Sequence, residues 1–105
     1  MKPQWFQILL ALADQARHGY AIQRDVSDRT DGAMMLWPAM LYRSLAALAE
    51  EGLITPVDPP DDEPLDERRQ YYAITARGRR QLAEEAERLT QWADLARERI
   101  ADGGR

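Results

Sequence analysis

The sequence predicts a mainly helical domain with a small β-hairpin, closing on one long helix. Three observations carry this prediction. Leu41, Leu45 and Leu48 recur at the i, i+4, i+7 spacing that lays one apolar stripe along a helix, which stops at Gly52. Two short stretches, Leu53 to Val57 and Gln70 to Ile74, bracket a connection rich in Pro, Asp and Glu, the pattern of two strands and their loop. From Leu82, apolar residues return at 4-3-4-3-4 spacing, the seam of a coiled-coil-like helix. Helix, hairpin and helix in this order describe a winged helix-turn-helix followed by a long C-terminal dimerisation helix.

Each element has its own signature. Lys2-Pro3 leads into a first helix with two apolar stripes, Trp5, Ile8, Leu9 and Leu12 on one and Phe6, Leu10 and Ala13 on the other. A helix apolar on both sides is buried on both sides, so one side faces its own core and the other needs a second chain or the terminal helix. Arg17-His18-Gly19-Tyr20 breaks the pattern. Tyr20 to Arg29 reads as a second helix with Ile22 and Val26 inward, and Asp31-Gly32 as a turn. Pro38 suits the first position of the third helix, where its missing N–H costs nothing. On that helix Ala39, Arg43, Ala46 and Glu50 lie opposite the leucine stripe, with Met40, Tyr42 and Ala47 beside them. Of Tyr71 and Tyr72, which alternate across a strand, one is expected in the core and one near the surface. Thr75 is an N-cap for the last helix, which would run from Ala76 to Ala101, roughly 39 Å at 1.5 Å per residue. The expected division is a winged helix-turn-helix over residues 1–75, its first helix shared with a dimer interface, and a dimerisation helix with a frayed tail over residues 76–105.

Composition narrows the function. The 105 residues suit one domain, and the absence of cysteine removes disulfides, thiolate catalysis and cysteine metal sites. The apolar run from Ile8 to Ala13 is far short of the roughly 20 residues that span a bilayer and lacks a signal-peptide cleavage pattern. A cytoplasmic protein without membrane contact is expected. No phosphate-binding glycine loop, Ser/His/Asp set or scaffolded carboxylate pair is present, so no catalysis and no cofactor are expected. The only histidine, His18, has no second metal-ligating partner, and Asp61-Asp62-Glu63 lacks the order of a calcium loop, so no metal is expected either.

The net charge of −4 counts against nonspecific binding to polyanions, yet charge is unevenly placed. Asp58, Asp61, Asp62, Glu63, Asp66 and Glu67 crowd one loop, and Arg68, Arg69, Arg77, Arg79 and Arg80 follow. A helix that enters the major groove must present a slim face, which Ala39, Arg43 and Ala46 supply. Arg43 suits guanine O6 and N7 or a phosphate, the alanines suit thymine methyls, and Tyr42 suits a phosphate oxygen. Arg68 and Arg69 stand where the wing returns and can neutralise phosphates. The competing readings are an ordinary solvated helix face and arginines paired with the loop acids. The candidate DNA contacts are therefore Tyr20, Arg24, Pro38, Ala39, Met40, Tyr42, Arg43, Ala46, Arg68 and Arg69. The candidate dimer interface is Trp5, Ile8, Leu9, Leu12, Leu82, Ala86, Leu89, Trp92, Ala93, Ala96 and Ile100. Trp5 and Trp92 are also candidates to line a pocket for a planar aromatic effector, the competing reading being interface packing alone.

Taken together, His18-Gly19-Tyr20-Ala21-Ile22, Leu41-Tyr42-Arg43-Ser44-Leu45, Glu51-Gly52-Leu53-Ile54, Arg68-Arg69-Gln70-Tyr71-Tyr72-Ala73-Ile74-Thr75 and Gly78 resemble the PadR family of bacterial transcription regulators. The short length and single terminal helix resemble its compact branch. The resemblance implies a homodimeric winged helix repressor. Its first and last helices would make the dimer, its tyrosine-bearing helix would enter the major groove, and Tyr42, Arg43 and Arg69 would be leading DNA contacts. One departure is local: where the family has a Ser-Pro-Gly-Thr/Ser-like approach to Leu-Tyr, this chain has Trp37-Pro38-Ala39-Met40. The expected function is a sequence-specific transcriptional repressor acting on a pseudo-palindromic operator. The alternative is a protein-interaction or small-molecule-sensing module on the same fold with weak DNA affinity.

Overall fold

The computed structural model describes residues 1–60 and 69–104. Its elements run α1 (Pro3–Leu12), β1 (Arg17–His18), α2 (Gly19–Arg29), α3 (Pro38–Glu50), β2 (Ile54–Val57), β3 (Tyr71–Ile74) and α4 (Ala76–Gly103). The fold is mainly helical with a three-stranded antiparallel sheet ordered β1-β3-β2. The expected hairpin is present, with Ile54 opposite Ile74 and Val57 opposite Tyr71. The third strand departs from the sequence reading. Arg17 and His18, read as a break, pair with Tyr72 and Tyr71. Two residues carry no alternation of their own, and only the partner strand makes them a strand.

The core gathers Ile8, Leu9, Ala11 and Leu12 of α1, Ile22 and Val26 of α2, Leu36, the stripe Leu41, Leu45 and Leu48 of α3, and Leu53 and Ile54 at the start of the wing. Each large apolar side chain so buried contributes roughly 1.5–3 kcal/mol. Tyr71 is buried and Tyr72 is half-buried, the inward and outward alternation expected of that strand.

Caps and turns set the joints between elements. His18 caps α2 with its ring: the Ala21 N–H donates to His18 Nδ1 at 3.1 Å. The Asp31-Gly32 turn has both residues at positive φ, 51° and 77°. Gly52 ends α3 at φ 75°, where a side chain would be strained. Thr75 Oγ1 accepts from the Gly78 N–H at 3.0 Å and donates to the Gly52 carbonyl at 2.6 Å, tying the start of α4 to the end of α3. Gly78 then passes so close to the Leu53 carbonyl that a Cβ there would lie 2.1 Å from its oxygen.

The 28 residues of α4 span about 42 Å at 1.5 Å per residue. Its first turns pack on the body: Leu82 lies against the core, and the buried Glu85 carboxylate pairs with Arg88 at 3.0 Å. Beyond that point α4 extends away, giving a longest dimension of 60 Å. Among the described residues no helix is long and apolar enough to cross a membrane.

Candidate nucleic-acid interface

The start of α3 is set by proline chemistry. Pro38 occupies the first helical position, and Trp37, in the N-cap position, gives no side-chain cap. The first helical bond runs from the Leu41 N–H to the Trp37 carbonyl at 2.8 Å. The Leu36 carbonyl just before it accepts from Gln23 Nε2 of α2 at 2.7 Å, which anchors the lead-in segment. Trp37 itself projects outward, 65 % exposed.

With Leu41, Ser44, Leu45 and Leu48 buried, the opposite face of α3 is open: Ala39, Tyr42, Arg43 and Ala46 are all exposed. The face is slim because two of its members are alanine. Tyr42 lies beside the start of α2. Its ring and hydroxyl lie 3.4 Å from where a Cβ on Gly19 would stand, so the glycine that opens α2 faces the phenol directly. Tyr42 also acts electrostatically on Tyr72 of β3. Burial first, and then the Tyr42 phenol, hold the Tyr72 hydroxyl above its usual range, so it stays a neutral donor. The influence of one phenol on the other was not foreseen from sequence, since the two residues lie on different elements.

The other candidates fall into distinct positions. Tyr20 is exposed at the start of α2, with the Arg24 guanidinium 5.9 Å from its ring centroid, so these two form one cation–π unit. Pro38 is exposed beside Ala39, whereas Met40 is half-buried against the core. Arg69 is exposed two residues before β3. Arg68 and the acidic residues 61–63, 66 and 67 lie outside the described residues. Among the described residues Arg43 makes no ion pair or side-chain hydrogen bond, which leaves its guanidinium for a ligand. Arg17, Arg29, Arg88 and Arg97 are instead paired with Asp14, Asp25, Glu85 and Asp94.

The candidate interface set divides. Ile8, Leu9 and Leu12 are 0–1 % exposed inside the chain's own core, so they offer no surface to a partner. The residue that α1 turns outward is Leu10, 38 % exposed, which the sequence placed on the second stripe. Trp5 and Leu82 are half-buried against the core. On α4, Ala86, Leu89, Trp92, Ala96 and Ile100 are exposed and Ala93 is partly shielded. Leu89, Trp92 and Ile100 are 44, 60 and 75 % exposed, large apolar side chains facing water along one helix.

The chain matches the family described as "Transcriptional regulator PadR-like family" over residues 8–84. Solved structures share its fold. A transcriptional regulator from Clostridium thermocellum is 23 % identical with a TM-score of 0.74, over 90 % of this chain and 86 % of that one. A PadR-like transcriptional regulator from Bacillus cereus is 18 % identical with a TM-score of 0.78, over 92 % and 90 %. The PadR protein of Bacillus subtilis, solved in complex with operator DNA, is 21 % identical with a TM-score of 0.67, over 81 % of this chain and 47 % of that one. No curated protein matches the chain.

Proposed function

The chain belongs to the PadR-like family of transcriptional regulators, and on that premise we propose that it is a homodimeric, sequence-specific DNA-binding repressor of a pseudo-palindromic operator, working in the cytoplasm. The observation that carries the DNA reading is the open face of α3. Ala39, Tyr42, Arg43 and Ala46 project from a helix whose other side is locked in the core, and Arg43 carries no intramolecular partner among the described residues. In this reading α3 lies in the major groove and Arg43 reads a base edge. Tyr42, Tyr20 and Arg69 meet phosphates, with Arg24 braced on Tyr20. The operator-bound Bacillus subtilis neighbour supports the choice of DNA as partner.

Dimerisation is supported by the exposed seam of α4. Leu89, Trp92 and Ile100 would lose water by packing on a second copy, as would the exposed Leu10 of α1. Residues 1–75 then form the DNA-binding unit and residues 76–105 the dimerisation helix. Twofold symmetry predicts half-sites about one helical turn, or a multiple of it, apart. A planar aromatic effector near Trp5 and Trp92 belongs to the same proposal. It is supported by the half-buried Trp5 indole and the exposed Trp92 indole, and tryptophan emission that stays constant across planar aromatics would remove it.

Selection of bound sequences from a random duplex pool tests the main reading. Recovery of a palindrome is the expected result. Recovery of no enriched sequence would overturn it.

A further inference from the structure

A crevice of about 310 Å³ opens between the start of α1 and one side of α3, lined by Lys2, Gln4, Trp5, Met40, Arg43, Ser44 and Ala47. Trp5, Met40 and the buried Ser44 are part of its wall, and its lining holds two cationic side chains and no acidic one. The Lys2 ammonium stands over the Trp5 ring, 5.4 Å from the centroid, and among the described residues it has no carboxylate partner. Arg43 is likewise unpaired and belongs to both the crevice and the open face of α3. A protein of net charge −4 thus gathers two unneutralised cations at the edge of its recognition surface.

Position on the helix identifies the occupant. At about 3.6 residues per turn, Met40 and Ala47 run along one flank of the face made by Ala39, Arg43 and Ala46, while Tyr42 lies on the other. The Tyr42 flank faces Gly19, which directly follows β1, and β1 pairs with β3 of the wing. A helix seated in the major groove has a phosphate backbone on each flank. The wing can serve one, and the crevice lies beside the other. We propose that the crevice seats a phosphate of the DNA backbone, making Lys2 a DNA-contact residue on the flank of α3 opposite the wing. Gln4 offers an amide N–H to the same phosphate, and Trp5 keeps the Lys2 ammonium over the crevice. The inference rests on the DNA reading above and adds a contact from Lys2 at the N-cap of α1, a helix that reading left to the core and the dimer.

Fluorescence anisotropy of the full chain tests it, on the selected operator and on random duplex, between about 50 and 200 mM salt, where phosphate contacts dominate the salt response. Lys2→Gln should weaken both duplexes by the same factor and reduce the log–log salt slope by about 0.9, one phosphate's share. Across that fourfold salt range, the ratio of wild-type to variant affinity should then shrink by about 3.5-fold. Lys2→Arg should restore the wild-type slope. If the wild type binds and Lys2→Gln keeps its slope, the Lys2 inference is overturned while the DNA reading stands. If Lys2→Gln alters only the sedimentation of the dimer, a second copy covers the crevice and the inference is likewise overturned. A wild type that binds no duplex at low salt overturns the DNA reading itself.

Discussion

Replacing Gly78 with alanine places a methyl group against backbone. The new Cβ would stand 2.1 Å from the Leu53 carbonyl oxygen, 2.8 Å from Ile74 Cγ1 and 3.1 Å from the Leu53 carbonyl carbon. The Ile74 methylene can rotate, but the carbonyl cannot. That oxygen must retreat by about 0.9 Å to reach the 3.0 Å below which real Cβ contacts essentially never fall. It also accepts the Thr75 N–H at 3.1 Å, so the retreat strains the bond that turns β3 into α4. Overpacking of this kind costs about 1–3 kcal/mol, and a clash with backbone belongs at the upper end. Alanine recovers about 1 kcal/mol from its better helix propensity. The net expected loss is about 2 kcal/mol, or roughly 8–16 °C in Tm for a chain of this size. Urea and thermal unfolding followed by circular dichroism measure it, at one protomer concentration because association shifts apparent stability. Gly103→Ala is the control, since nothing lies within 4 Å of a Cβ there, and its stability should stay within about 0.5 kcal/mol of wild type. A Gly78→Ala protein as stable as wild type would refute the packing argument and with it the rigid joint between wing and α4.

Three further outcomes follow from named contacts. Thr75→Val removes the cap on the Gly78 N–H and the bond to the Gly52 carbonyl, so it should lose about 1–2 kcal/mol in the same unfolding assay; Thr90→Val, whose exposed hydroxyl bonds only the Ala86 carbonyl at 3.0 Å, should lose less than about 0.5 kcal/mol. Tyr72 ionises above the ordinary tyrosine value of 10.0 in the folded chain because burial, then Tyr42, disfavours the phenolate. The unfolded chain therefore loses that proton first, and the contribution of Tyr72 to stability is complete below pH 10 and declines as pH rises past it. Urea midpoints at about pH 9 and 11 should fall further for wild type than for Tyr72→Phe, and equal falls would remove the assignment. On DNA, Arg43→Ala should relax sequence preference, whereas Arg69→Ala should weaken every duplex alike and flatten the salt slope. Equal losses on all sequences for both variants would withdraw base reading from Arg43.

Some features were legible because each is written in neighbouring residues. The leucine stripe of α3, its proline start and glycine stop, the Thr75 cap and the seam of α4 all appear where the residues place them. β1 was not legible, since Arg17 and His18 become a strand only by pairing with Tyr72 and Tyr71. The two apolar stripes of α1 were visible, but their allocation was not. Ile8, Leu9 and Leu12 went to the chain's own core and Leu10 to the outside, because α2 and α3 close over one side. The candidate site followed the same division. The exposed face of α3 is the complement of its buried stripe and could be read off one helix. The Tyr42–Tyr72 neighbourhood and the Lys2–Arg43 crevice join distant segments and could not.

The sequence by itself determined the order of the four helices and the hairpin, the face of α3 turned outward and the family, because periodicity, caps and motif spacing are local properties of the chain. Only the tertiary structure decided which apolar residues remain exposed, that Gly78 must lack a side chain and that Lys2 and Arg43 line one crevice. Those are distances between segments far apart in the chain, and they are set when the core packs.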